Sequence, residues 1–198
     1  MAAASVRTPA GRAGRLWLRH RIAVADRGAG ELERKVQLVS TEVRRRKAQV
    51  DYSREQWRSA CEEAERWMLR AGFVGGIDSV RQARTTPVEV AMTWTTTMGV
   101  RHPDGATVEP AAPPDVGMSA TLLQARLASA TALRAAVEVG AAQSALAALE
   151  SALLMTRRRA RVLRRHWLPR LESQLHDLEI TLEQAEQEDQ ARLRRVHS

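Results

Sequence analysis

The sequence predicts a mainly α-helical protein: a long antiparallel two-helix coiled coil with a short β-hairpin in its middle region. Three observations lead to this fold class. Ala, Leu, Arg, Glu and Gln, all strong helix formers, dominate a composition with only five Trp, one Tyr and one Phe. Apolar residues recur at coiled-coil spacing in two flanking segments. Between them, residues 71–118 hold five of the seven prolines and six of the eleven glycines, which break helices.

The helix breakers divide the chain into four parts. We predict a flexible tail at residues 1–11, a first long helix at 12–71, a middle region at 72–118 and a second long helix at 119–198. Ser119 is a candidate N-cap for the second helix. A helix, a break and another helix most simply form an antiparallel pair, which places both chain ends at one end of the coiled coil.

The first helix has an apolar seam whose positions alternate four and three residues apart. Such a repeat places one stripe along a helix that supercoils against a partner. Fourteen of the sixteen positions are apolar, the exceptions being Arg46 and Ser53. The seam comprises Leu18, Ile22, Ala25, Ala29, Leu32, Val36, Val39, Val43, Arg46, Val50, Ser53, Trp57, Ala60, Ala64, Trp67 and Ala71.

The second helix repeats this pattern with one interruption. Its seam comprises Leu146, Leu149, Leu153, Thr156, Ala160, Leu163, Trp167, Leu171, Leu175, Leu178, Leu182 and Ala185. The steps from Trp167 to Leu171 and on to Leu175 are both four residues, a stutter that unwinds a supercoil locally. Pro169 lies inside this stutter and predicts a kink. The buried face of residues 119–145 is ambiguous.

The middle region changes to a period of two. From Val88 to Val100 apolar and β-branched residues alternate with others, which is typical of a strand. Pro103, Asp104 and Gly105 form a turn signal, and residues 106–109 can return as a short second strand. The sequence therefore predicts a hairpin at about residues 87–109.

The sequence predicts no catalytic, cofactor-binding or metal-binding residue. No phosphate-binding glycine loop is present, and the five histidines show no ligand spacing. Cys61 is the only cysteine, which excludes an internal disulfide and suits a reducing compartment. Uncharged runs such as residues 139–149 are shorter than the ~20 residues of a membrane span. We therefore expect a cytoplasmic chain without membrane insertion.

A run of arginines lies off the seam of the second helix. It comprises Arg157, Arg158, Arg159, Arg161, Arg164 and Arg165 in a chain of net charge +8. Three interpretations stand: a solvated coiled-coil face, a contact with an acidic protein surface, or a nucleic-acid site. The last is disfavoured because stacking aromatic residues are missing: Trp57, Trp67 and Trp167 suit a core better.

Several blocks of the sequence resemble the D-type stalk component of V/A-type (vacuolar/archaeal-type) rotary ATPases. The N-terminal block is LRHRIAVADRG at residues 18–28, followed by LERK at 32–35. The C-terminal blocks are TRRR at 156–159, LPRL at 168–171, LEQAEQED at 182–189 and RLRRV at 192–196. Met98, Gly99, Val100 and Pro103 resemble the family's central element. Residues 161–163, Arg-Val-Leu, depart from the family's C-terminal pattern, which often has Asn-Ala-Leu at this place.

The resemblance implies that the chain is a non-catalytic, central-stalk rotor subunit. It would couple ATP hydrolysis or synthesis in a hexamer of catalytic and non-catalytic nucleotide-binding subunits to proton or sodium movement through a membrane ring. The implied partners are that hexamer, the small F-type stalk subunit and a membrane-ring adaptor, with no nucleic acid. The chain would be cytoplasmic, in a peripheral membrane complex.

Two groups of residues are candidate contacts with these partners. Arg157, Arg158, Arg161 and Arg165 are candidates for the catalytic hexamer, and the hairpin residues Val90, Met92, Trp94 and Met98 for the companion F-type subunit. The alternative function is a cytoplasmic structural or scaffold coiled coil, such as a flagellar-export-type stalk protein.

Overall fold

The computed structural model describes residues 9–82, 88–109 and 118–196, and the side chains of all of these except Ser79, Gln82 and Val196. The elements follow the order α1 (Gly11–Gln82), β1 (Val90–Thr97), β2 (Val100–Val108), α2 (Ala120–Val162), a π-helical turn (Leu163–Trp167) and α3 (Leu168–Val196). Two long helical segments thus flank one antiparallel hairpin, and the predicted fold class is confirmed. Most of the predicted tail and residues 110–117 lie outside the described residues.

Helix α1 extends further than the sequence predicted. It ends at Gln82, whereas the glycine-rich stretch after Ala71 predicted an earlier end. The helical conformation is nevertheless interrupted within that stretch, at Gly76, whose φ of 75° and ψ of 160° are non-helical. At the start of α2, the Leu122 N–H donates to the Ser119 hydroxyl at 3.3 Å, which confirms Ser119 as the N-cap.

The described part of the chain forms two compact units, and the first contains the residues up to Gln37 and from Leu154 onward. Its two helical segments run antiparallel, because ion pairs join early residues of one to late residues of the other. Arg12 pairs with Glu186 at 2.9 Å, and Arg19 with Glu179 at 2.6 Å. Leu18, Ala29, Ala160, Leu168 and Leu171 form the buried core of this unit.

The second unit, Leu38–Leu153, contains the hairpin and the alanine-rich part of α2. Its core includes Val39, Val50 and Leu149. The buried face of residues 119–145, which the sequence left ambiguous, continues the heptad pattern mainly through alanine. Its members are Ala125, Ala132, Val139, Ala141, Ala142 and Ala145.

The hairpin turns at a different place from the one predicted. Met98 and Gly99 connect the strands with φ values of 51° and 78°, the left-handed pair that a tight two-residue hairpin loop requires. The predicted turn at residues 103–105 is wrong, because these residues lie within β2. Thr93 pairs with Gly105 and Trp94 with Pro103, so Asp104 is the extra residue of a β-bulge. The bulge accommodates this sequence without ending the strand.

The π-helical turn accounts for the predicted stutter. The Leu168 N–H donates to the carbonyl of Leu163, five residues back. Pro169 lacks an N–H and its ring crowds the preceding turn of an α-helix, and a wider turn relieves both conflicts. Buried positions step from Ala160 to Leu168 and Leu171, whereas Trp167 is 45 % exposed. The extra residue of the π-turn therefore removes Trp167 from the predicted seam and buries Leu168 instead.

Candidate interaction surfaces

The candidate functional sites lie on exposed surfaces of the described residues. Within residues 9–82, 88–109 and 118–196, no three His, Cys, Asp or Glu side chains are grouped so that they could hold a metal ion. The pKa shifts found in this part of the chain belong to ion pairs, not to a cleft.

One helical stretch is apolar enough to be compared with a membrane span. The helix from Ala120 to Arg195 contains a window of 18 residues with mean hydropathy 1.2, of which 39 % is buried. A helix of a soluble core passes the same test. A single helix of this kind is weak support for a membrane-spanning role.

The predicted seam residues fall into three groups by exposure. Leu18, Val39, Val50, Leu149 and Leu153 are buried. Trp57 and Trp167 are 41 % and 45 % exposed. The remaining large apolar seam positions are half-buried, apart from the buried Leu171: Ile22, Leu32, Val36, Val43, Trp67, Leu146, Leu163, Leu175, Leu178 and Leu182.

The arginine run separates into one paired residue and several unpaired ones. Arg164 contacts Asp26 and donates to Glu33 at 3.0 Å, and these two carboxylates raise the pKa of its guanidinium. The four candidate hexamer contacts, Arg157, Arg158, Arg161 and Arg165, are all exposed and form no ion pair with another described residue. Their charge is thus available to a second molecule.

The candidate companion contacts on the hairpin form an exposed apolar strip. Val90, Met92, Trp94 and Met98 are 48 %, 41 %, 51 % and 44 % exposed. Val90, Met92 and Trp94 alternate along β1, so they lie on one face of the pleated sheet. The Arg101 guanidinium stacks 4.7 Å from the centre of the Trp94 ring. Because so much apolar area stays open, this face resembles a binding surface more than a core.

An ion network around the buried Arg46, which the sequence pattern did not reveal, joins the hairpin to α1. Arg46, the charged exception on the seam, is 8 % exposed. It donates to Glu42 at 3.0 Å and to Asp104 of the β-bulge at 2.8 Å. Arg45 also donates to Glu42, and the two guanidiniums lower the pKa of Glu42 to about 2. An arginine on an apolar seam was the only signal in the sequence.

The C-terminal part of α1 carries a second apolar surface that the sequence did not assign. Phe73 is 89 % exposed, and Leu69 and Ile77 are each 65 % exposed. With Met68 they line a groove of about 590 Å³. Leu69 and Phe73 are four residues apart and share one face of the helix, and Ile77 comes directly after the break at Gly76.

Comparison with known families gives one match. A family model that describes the D component of ATP synthase matches residues 16–198, nearly the whole chain. No curated protein matches.

Proposed function

The chain belongs to the ATP synthase D-component family, a family of stalk subunits of rotary ATPases, and on this premise we propose that it is the central rotor of a V/A-type complex. The observation that carries the proposal is the match over residues 16–198, which includes both long helical segments and the hairpin. The rotor would couple ATP hydrolysis or synthesis in a nucleotide-binding hexamer to proton or sodium movement through a membrane ring.

The arrangement of the helices supports a mechanical role. In the first unit, cross-helix ion pairs at Arg12, Arg19 and Arg164 join the two antiparallel segments at three levels. A paired coil resists bending and sliding better than a single helix. Its faces also differ, since the unpaired arginines lie on α2 and the π-turn. A shaft shifts three chemically identical sites into different states only if it contacts each of them differently.

The proposed contact with the catalytic and non-catalytic subunits of the hexamer is electrostatic in part. Arg157, Arg158, Arg161 and Arg165 would face acidic loops of those subunits. Exposed ion pairs contribute only ~0–1 kcal/mol each, so the group matters more than any one member. Substitution of all four by Gln should weaken coupling between ATP turnover and rotation while the helix stays folded.

The test is single-molecule rotation of a complex reconstituted with the full chain. A matched control replaces Arg34, Arg58, Arg66 and Arg81 by Gln, because these exposed arginines each pair with a carboxylate three residues earlier. We expect lower torque from the first variant and near-normal torque from the control. Normal torque from both would refute the arginine contact, and a wild-type chain that does not assemble with the hexamer would refute the rotor function.

The hairpin is the proposed contact for the small F-type companion subunit. Its exposed face would supply an apolar interface, while the membrane-ring adaptor completes the set of proposed partners at another surface. Substitution of Val90, Met92, Trp94 and Met98 by Ser keeps the backbone pairing but removes the apolar face. We expect the companion to stop co-purifying with this variant. Retention at the wild-type level would place its contact elsewhere on the chain.

A further inference from the structure

The π-turn opens a groove in the first unit that the heptad pattern does not predict. The groove has a volume of about 410 Å³ and lies between α1 and the segment from Leu163 to Leu171. Val24 and Ala25 form one wall, and Trp167 with Leu171 forms the other. A regular heptad would turn Trp167 into the seam, where it would fill this space. The extra residue of the π-turn leaves its ring at the surface, and Val24 opposite is 47 % exposed.

The lining is mainly apolar, and arginines outnumber carboxylates in its neighbourhood. His20 and Arg21 of α1 lie at the rim, with the Arg21 guanidinium 4.7 Å from the centre of the Trp17 ring. Arg165 and Arg170 flank Trp167 in the sequence and form no ion pair with another described residue. Arg164 pairs with both nearby carboxylates, Asp26 and Glu33, so the four arginines Arg21, Arg164, Arg165 and Arg170 outnumber these two acidic groups. An incoming group is therefore favoured if it combines an apolar side chain with negative charge.

We propose that this groove receives a bulky apolar side chain carried on an acidic loop of one of the nucleotide-binding subunits around the shaft. The inference rests on the proposed function and deepens it, because it adds an apolar anchor to the arginine contact. Such anchors bury themselves in a pocket at the centre of an interface, with charged residues at the rim. A small-molecule ligand fits less well, since its pocket normally has several polar groups that fix orientation.

The groove and the arginines have different physical signatures. Contacts between exposed charges weaken as salt screens them, whereas burial of an apolar side chain does not. The anchor also acts at one place around the shaft axis, because the π-turn occurs once in the described part of the helix. A rotor with such a groove would bind the loop of only one of the three equivalent nucleotide-binding subunits at a time.

The test compares two substitutions at each of two residues in the full-length chain, and it measures the affinity for the reconstituted hexamer. Val24→Trp fills the groove, whereas Val24→Ala leaves it open. On the opposite wall, Trp167→Ala removes the ring and Trp167→Phe keeps an aromatic surface. We expect Val24→Trp and Trp167→Ala to weaken binding at least about tenfold, including at raised salt, and the other two to change it by less than about threefold. Melting temperatures of the free chains monitor folding.

Three results would overturn the proposal. The first is unchanged affinity of a folded Val24→Trp chain; if the four-arginine variant still loses affinity, only the anchor fails and the rotor function stands. The second is a wild-type chain that dimerises in sedimentation and becomes monomeric with Val24→Trp, which would make a second copy the occupant. The third is groove-dependent binding to vesicles of phosphatidylcholine and phosphatidylserine, which would make an anionic membrane the occupant.

Discussion

Replacement of Glu42 by Gln should destabilise the protein by about 2 kcal/mol at neutral pH. Glu42 accepts from Arg45 and Arg46, and its pKa falls from an ordinary value of 4.5 to about 2. At 1.36 kcal/mol per pKa unit, this difference is worth at most about 3 kcal/mol. The expected loss is about 2 kcal/mol, because the Glu42 side chain is still 16 % exposed and Arg45 is largely in solvent. The substitution would also leave the buried Arg46 with Asp104 as its only carboxylate partner among the described residues.

Urea unfolding followed by circular dichroism would measure the effect. Because the folded pKa lies below the unfolded one, the Glu42 contribution is fully present above pH 4.5 and is lost as the pH falls through about 2. The stability gap between wild type and Glu42→Gln should therefore close on acidification. Glu31→Gln, which breaks an exposed pair with Arg34, is the matched control and should cost less than about 1 kcal/mol. Equal losses for the two variants, or a gap that persists at pH 2, would refute the reasoning.

Three further predictions concern glycines. Gly30→Ala should stabilise the chain by about 0.5–1 kcal/mol, since a Cβ there meets nothing within 4 Å and the helix gains propensity. Gly14→Ala should lower the melting temperature, because its Cβ would clash with the carbonyl oxygen of Pro9. Gly99→Ala should lower the free energy of unfolding by about 1–2 kcal/mol, because a φ of 78° is unfavourable for a residue with a side chain. Gly99→Asn should lower it by less, since Asn tolerates this conformation better. Similar losses for both variants would argue against the Met98–Gly99 turn.

The helices were predictable because their signal is repeated and local. All seam positions lie on the same face of the helix, so the apolar period remains detectable despite exceptions such as Arg46 and Ser53. The hairpin was predicted as an element, but its turn was misplaced. Pro103, Asp104 and Gly105 form a strong turn signal, whereas Met98 and Gly99 do not. Strand pairing decided the outcome, because a β-bulge absorbs one extra residue without ending the ladder.

Two features, the π-turn and the Arg46–Asp104 ion pair, could not be predicted from the sequence because they depend on tertiary packing. A stutter with a proline is compatible with a kink or with a π-turn, and packing of Leu168 and Leu171 selects between them. Arg46 depends on Asp104, which is 58 residues away and comes close only when the hairpin docks. The partners proposed for the arginines and the hairpin are other molecules, so their contacts are not encoded in any periodicity of this chain.

The bulged hairpin also has consequences for solubility. In a two-stranded sheet each strand has one edge without a strand partner. β2 limits further pairing at its edge, because Pro103 lacks an N–H and the bulge at Asp104 interrupts the ladder. β1 has no such protection: Val90–Thr97 contains no charge, no proline and no glycine, a composition typical of aggregation-prone segments. Association between copies of the purified chain should therefore begin at β1, the strand that a bound companion would cover.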